Sequence, residues 1–322
     1  MLHPDARALL DLIEERGLPA THTLSPVEAR AFYRDRRSFT QPPAPDVGAV
    51  RDAHCEGPHG RIPLRIYRPI GAGTSPGSGS TLPVLVYFHG GGWTIGDLDT
   101  HDVLCRQLCN GSAAVVVAVD YRMGPEHRFP AAVDDCFAAT RWVRHAAHEL
   151  GVDAARLAVG GDSAGGNLAA VVAILARDSG DLPIAHQLLI YPATDMRCRH
   201  ASHTTNGRGF LLTNETISYY HDHYVADPAH DLDWRASPLL HADLTKLPRA
   251  LVLTAGFDPL RDEGLEYADR LVAAGNRATY VCYERQIHGF ITMGKLIDEA
   301  NSAVSLCAAE LARALGSATT PA

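Results

Sequence analysis

The sequence predicts an α/β fold, a mostly parallel central sheet with helices on both faces. Short apolar runs recur at 84–88, 114–119, 157–160, 187–191, 251–255 and 279–283. Helix-length stretches separate them, near 98–110, 131–150, 164–178 and 262–274, with a last one at 295–315. The runs lack the polar alternation of a half-exposed strand, as expected where both sheet faces are covered. A chain of 322 residues that is 46% apolar can also bury the core such a sheet requires.

The elements before the sheet differ in kind. Residues 1–45 read as two short amphipathic helices, the second entered through Ser25-Pro26 with Glu28 in its first turn, and ended by Gln41-Pro42-Pro43-Ala44-Pro45. They are expected to pack across the sheet as part of a helical cap. Segments 49–54 and 61–68 flank the turn Gly57-Pro58-His59-Gly60 and predict an antiparallel hairpin at a sheet edge. The Gly/Ser/Pro run at 71–81 has too little apolar surface to order itself and reads as a surface loop. From there, 46–194 and 236–316 form the α/β domain. The stretch 195–235, rich in His, Asn, Asp and aromatics and without a clear strand, is an insertion above the sheet, and 317–322 is a disordered tail.

Composition removes several function classes. The net charge of −8 comes from scattered residues with no basic block to follow a phosphate backbone, so nucleic acid is not an expected partner. No apolar run approaches the roughly 20 residues of a membrane span. The first residues are charged and lack the apolar core of a signal peptide, which makes the cytosol the default compartment. Seven cysteines form no C-x-x-C pair and read as reduced thiols, mostly buried, with Cys105 and Cys109 sharing a helix face. His221-Asp222-His223 lacks a ligand set of recognisable spacing, so these cap histidines read as surface residues, and no metal or organic cofactor is implied.

Gly161-Asp162-Ser163-Ala164-Gly165 joins a strand to a small-residue helix, the setting of a nucleophile elbow. Such a turn projects a serine hydroxyl above the carboxyl edge of the sheet, with the positive end of a helix behind it. Neighbouring Asp162 should point away and make structural hydrogen bonds. His89-Gly90-Gly91-Gly92-Trp93 follows the strand at 84–88; its glycines leave backbone amides open to a developing oxyanion, and Gly91, Gly92 and Ala164 make up the candidate donor set. A dinucleotide loop does not fit, because Ile95 stands where its third glycine would fall. Asp258 and His288 each lie just past a strand, in the chain order Ser, Asp, His of a nucleophile–orienter–base set. Trp93 and Phe290, beside these motifs, are candidate substrate-binding residues, and Arg122 with Glu126 could pair as scaffold.

These motifs resemble those of the hormone-sensitive-lipase-like esterases, bacterial family IV of the α/β-hydrolase fold. The likeness spans about 50–315 and includes Thr100-His101-Asp102, Asp120-Tyr121-Arg122, Pro125-Glu126-His127, Phe129-Pro130-Ala131-Ala132, Ser237-Pro238-Leu239, Asp258-Pro259-Leu260-Arg261-Asp262 and His288-Gly289-Phe290. The resemblance implies Ser163 as nucleophile, His288 as general base and acid, Asp258 as its orienter, and an oxyanion hole of Gly91, Gly92 and Ala164. It also implies hydrolysis of short- to medium-chain acyl esters of small molecules, and it is compatible with a homodimer. Amidase or deacetylase action, or ligand binding on an inactive scaffold, are the alternatives. Two departures stand out. Glu284-Arg285-Gln286 replaces the family's usual Pro-Gly-Met before the histidine, and Gly124 replaces an alanine. The cap around His200, His203, His221 and His223 is where the likeness is weakest.

Overall fold

The computed structural model describes residues 1–71 and 81–316, so most of the Gly/Ser/Pro run and the tail at 317–322 lie outside the described residues. Eight strands form one sheet: β1 (Ala49–Gly57), β2 (Gly60–Arg68), β3 (Leu82–Phe88), β4 (Val115–Val119), β5 (Val152–Asp162), β6 (His186–Ile190), β7 (Arg249–Phe257) and β8 (Ala278–Ile287). Their order is β1-β2-β4-β3-β5-β6-β7-β8. The β1–β2 hairpin is antiparallel and joins β4 antiparallel, whereas β4 and β3 through β8 run parallel. The chain reverses its direction of travel across the sheet between β3 and β5, where Phe88 pairs with Gly161. A crevice at the carboxyl ends of two such strands is where open α/β sheets place their sites.

The helices are α1 (Pro4–Glu15), α2 (Pro26–Thr40), α3 (Asp102–Ser112), α4 (Ala131–His145), α5 (Ala147–Leu150), α6 (Ala164–Ser179), α7 (Ala201–Thr205), α8 (Asn214–Tyr224), α9 (Arg261–Ala273) and α10 (Asp298–Leu315). One face of the sheet packs against α4, α6 and α9, the other against α1, α3 and α10. Every residue of β4, Val-Val-Val-Ala-Val, is buried, as two covered faces demand. The sequence places these elements well but not all their ends. Two strands run beyond their apolar runs, because the polar Asp153–Arg156 stretch opens β5 and Glu284-Arg285-Gln286 ends β8. Polar residues are tolerated in β8 since it is an edge strand. The helix expected over 131–150 comes as two pieces, broken at Ala146.

The segments outside the sheet fasten onto it at specific points. Ser25 and Glu28 form a reciprocal capping box that starts α2. The first residues hydrogen-bond to the end of β8, with the His3 amide donating to the Arg285 carbonyl at 2.8 Å and Arg285 Nε reaching the Met1 carbonyl at 3.3 Å. Gln286 is buried and donates to Glu299 at 2.7 Å. The triplet that replaces Pro-Gly-Met therefore continues the strand and ties it to two helices. Between β6 and β7 the described chain contains α7 and α8 and no strand.

The expected pairing of Arg122 with Glu126 is corrected. Arg122 instead grips Asp135 of α4, with Nε and Nη2 each 2.8 Å from its carboxylate and its backbone amide at 3.0 Å. Glu126 takes Arg30 of α2 instead. The carboxylate of Asp135 is almost wholly buried. Asp135→Ala should strand the half-buried guanidinium and cost about 3 kcal/mol of stability, read as a lower urea midpoint with an unchanged slope.

Candidate active site

The serine lies at a backbone outlier. Ser163 has φ 56° and ψ −116°, strained for a residue with a side chain, immediately before the first turn of α6. Its amide donates to the Ile190 carbonyl at 2.8 Å and its carbonyl accepts from Asn167 at 3.0 Å, which fixes the turn on both sides. Gly165 is obligatory for this closeness, since a Cβ there would overlap the carbonyl oxygen of Phe88 at the end of β3.

His288 follows β8, and its Nε2 lies 2.9 Å from Ser163 Oγ. Its Nδ1 lies 2.7 Å from Asp258 Oδ2. The second oxygen of Asp258 accepts from the Leu260 amide at 2.8 Å, so this fully buried carboxylate is held from two sides. The Tyr191 ring packs against the imidazole, centroids 4.6 Å apart. Three residues separated by up to 125 positions thus form one hydrogen-bonded chain.

The glycine loop stands opposite. Gly91 has φ 120°, and a Cβ would strike the Ile95 carbonyl. The amides of Gly91, Gly92 and Ala164 have no acceptor among the described residues, the last because it opens a helix. The loop is anchored by Asp162, whose Oδ1 accepts from the Gly90 amide at 2.9 Å and from the Tyr87 hydroxyl at 2.7 Å. His101 Nε2 lies 3.2 Å from the same oxygen. Burial opposes ionisation of Asp162, but His101 and the Tyr87 hydroxyl outweigh it and keep the carboxyl below its ordinary range. Asp162 thus points away from the serine. Burial, helped by neighbouring His101, holds His89 down at about 4, so this ring is neutral as it stacks on Tyr121 and packs beneath the loop.

A cavity of about 140 Å³ opens over the serine. Gly91, Gly92, Ser163 and His288 meet in its floor, and the cap supplies residues such as Tyr33, Met196 and Tyr220. Trp93 lines it, although little of the indole is open because it stacks on Tyr224 at 4.5 Å. Phe290 is corrected. It has no exposed surface and sits in the core between Tyr191 and Tyr283, because the turn after His288 directs it down into the sheet layer. Its contribution is to support the ring beneath the imidazole.

Several residues were not legible as site components. Arg30 reaches from α2 to the Thr94 carbonyl at 2.8 Å and the Gly124 carbonyl at 2.7 Å, clamping the glycine loop. His203 is buried rather than a surface residue, its Nε2 2.9 Å from Glu263 Oε2. Burial works against its charge, yet Cys198 and Glu263 push it up to about 10. Glu263 also accepts from the Thr194 amide at 2.6 Å. Five of the seven free thiols are buried, Cys105 and Cys109 among them, while Cys198 faces the cavity. No cluster of potential metal ligands occurs among the described residues, and no described helix is long and apolar enough to cross a membrane.

A serine hydroxyl joined to an imidazole and a buried carboxylate beside unengaged amides defines the class of serine hydrolases. Residues 85–292 match the family model described as alpha/beta hydrolase fold. Carboxylic ester hydrolase LipN of Mycobacterium tuberculosis is 47% identical over 262 residues, 79% of this chain and 68% of that protein. Ethyl acetate hydrolase of Pseudomonas putida is 38% identical over 309 residues, 93% of this chain and 95% of its own length. An ester hydrolase from the metagenome of Lake Arreo superposes with a TM-score of 0.94 at 43% identity, covering 98% of this chain and all of that one. The chain belongs to the α/β-hydrolase family, in its hormone-sensitive-lipase-like carboxylesterase branch.

Gly165→Ala should separate α6 from β3 and misplace the serine. The variant is expected to lose esterase activity to background and to melt earlier, measured by circular dichroism and p-nitrophenyl acetate hydrolysis.

Proposed function

We propose that this carboxylesterase cleaves short- to medium-chain acyl esters by double displacement through Ser163, His288 and Asp258. The carrying observation is the continuous hydrogen-bond chain from Ser163 Oγ through both imidazole nitrogens to Asp258. Asp258 accepts from Nδ1, which leaves Nε2 as the acceptor for the serine proton. Ser163 Oγ attacks the ester carbonyl as His288 takes its proton, and the carbonyl oxygen gains the negative charge. Gly91, Gly92 and Ala164 supply the amides that receive it, at about 10²–10³ in rate for a donor lost. Protonated His288 then gives its proton to the departing alkoxide, leaving an acyl group on Ser163. Water repeats the sequence with His288 again as base, releasing the acid and restoring the hydroxyl.

Acyl length follows from the cap. Aromatic and aliphatic side chains of α2 and α8, Tyr33, Ile217 and Tyr220, wall the cavity above the serine and limit how far an acyl chain extends. The relative named for ethyl acetate hydrolysis supports the same range.

Ser163→Ala should lower kcat by about 10⁴–10⁶-fold while the protein stays folded. Unchanged hydrolysis of p-nitrophenyl butyrate by that variant would remove Ser163 from the mechanism. A fluorophosphonate probe should label the natural chain and spare the variant. Across p-nitrophenyl esters of increasing length, kcat/KM should peak at short acyl groups, and a maximum at long chains would contradict the limit set by the cap.

A further inference from the structure

One cation in the cavity has no task in that chemistry. Helix α2 carries arginines at 30, 34, 36 and 37, and three of them are committed. Arg30 binds Glu126, Arg34 binds Asp97, and Arg37 donates to the Asp99 carbonyl. Arg36 lines the cavity, half-buried, and enters no ion pair among the described residues. Its guanidinium lies over the Tyr33 ring, 4.6 Å from the centroid. The ring covers one face of the guanidinium, and no carboxylate among the described residues engages its N–H groups.

The surroundings suit an anion. Thr21, Tyr33 and Tyr220 line the same cavity, and the Tyr33 and Tyr220 phenols lie near enough to Arg36 to feel its charge. Burial pushes the Tyr33 phenol up to about 12 against the opposing effect of Arg36, so it remains a neutral donor at ordinary pH. The Tyr220 ring lies against Gly92 of the oxyanion loop, and Arg36 lines the same cavity as Ser163. Acidic side chains also line the cavity, but each is engaged. Asp162 has His101, Asp195 has Arg197 at 2.7 Å, and Glu263 has His203 at 2.9 Å.

We propose that Arg36, with Tyr33 and Tyr220, forms an anion subsite, and that the preferred substrates are esters bearing a carboxylate a few atoms from the scissile carbonyl. The guanidinium edge receives that carboxylate as a charge-assisted pair while the ester carbonyl sits over Ser163. This assignment rests on the reading of Ser163 as the reacting group.

Two matched pairs test it. Monomethyl glutarate against methyl pentanoate places the charge on the acyl side, and 4-acetoxybutanoate against butyl acetate places it on the alcohol side. In at least one pair, Arg36→Ala should lower the anionic-to-neutral ratio of kcat/KM about tenfold, and Arg36→Lys should restore part of it. In the Ser163→Ala background, calorimetric binding of the same anionic ester should weaken by a similar factor on Arg36→Ala. A ratio and an affinity that both stay unchanged in both pairs overturn the subsite. Failure of the natural chain to turn over either neutral ester counts against Ser163 instead, and the calorimetric comparison then decides the subsite alone.

Discussion

The site depends on how closely the start of α6 approaches the end of β3. Gly165 allows that approach, and the Asp162 carboxylate holds it by binding the Gly90 amide across the gap. The glycine loop after β3 and the serine turn after β5 are thereby fixed as one unit. Open amides and the hydroxyl need a relative position good to a fraction of an ångström. A loop held only by its own conformational preferences does not provide it. The strain at Ser163 is sustained by the same contacts, because hydrogen bonds from both flanks over-determine the turn.

Three buried carboxylate–imidazole pairs surround this crevice: Asp162 with His101, Glu263 with His203, and Asp258 with His288. Their inner chemistry is alike, and what separates them is the other ring nitrogen. In His101 it meets Thr100 Oγ1 at 3.1 Å, inside the scaffold. In His203 it meets no direct partner among the described residues. Only in His288 does it reach the serine at the strained turn. Proximity to a carboxylate is common to all three, and it is the contact with Ser163 that sets His288 apart.

Much of this was legible in the chain. Apolar runs with helical spacers dictate a covered parallel sheet, and the glycine, serine, aspartate and histidine motifs sit at strand ends where backbone chemistry restricts the residues allowed. Legibility failed for side chains whose partners lie far away in sequence. Nothing local marks Arg122 for Asp135 instead of Glu126, or Arg30 for the glycine loop. Phe290 looked like a pocket residue because it adjoins His288, but the left-handed turn at Gly289 sends it inward. His203 was hidden by its polar neighbours, since burial in an insertion follows from tertiary packing and not from periodicity.

Helix α2 has two duties that pull against each other. Through Arg30 it clamps the carbonyl of Thr94, and through Tyr33 and Arg36 it forms the wall above the serine. Because both contacts sit on one helix, the wall and the clamp are rigidly coupled, and neither can shift without the other. The geometry of the cavity wall and that of the glycine loop are thus two readings of the position of one helix.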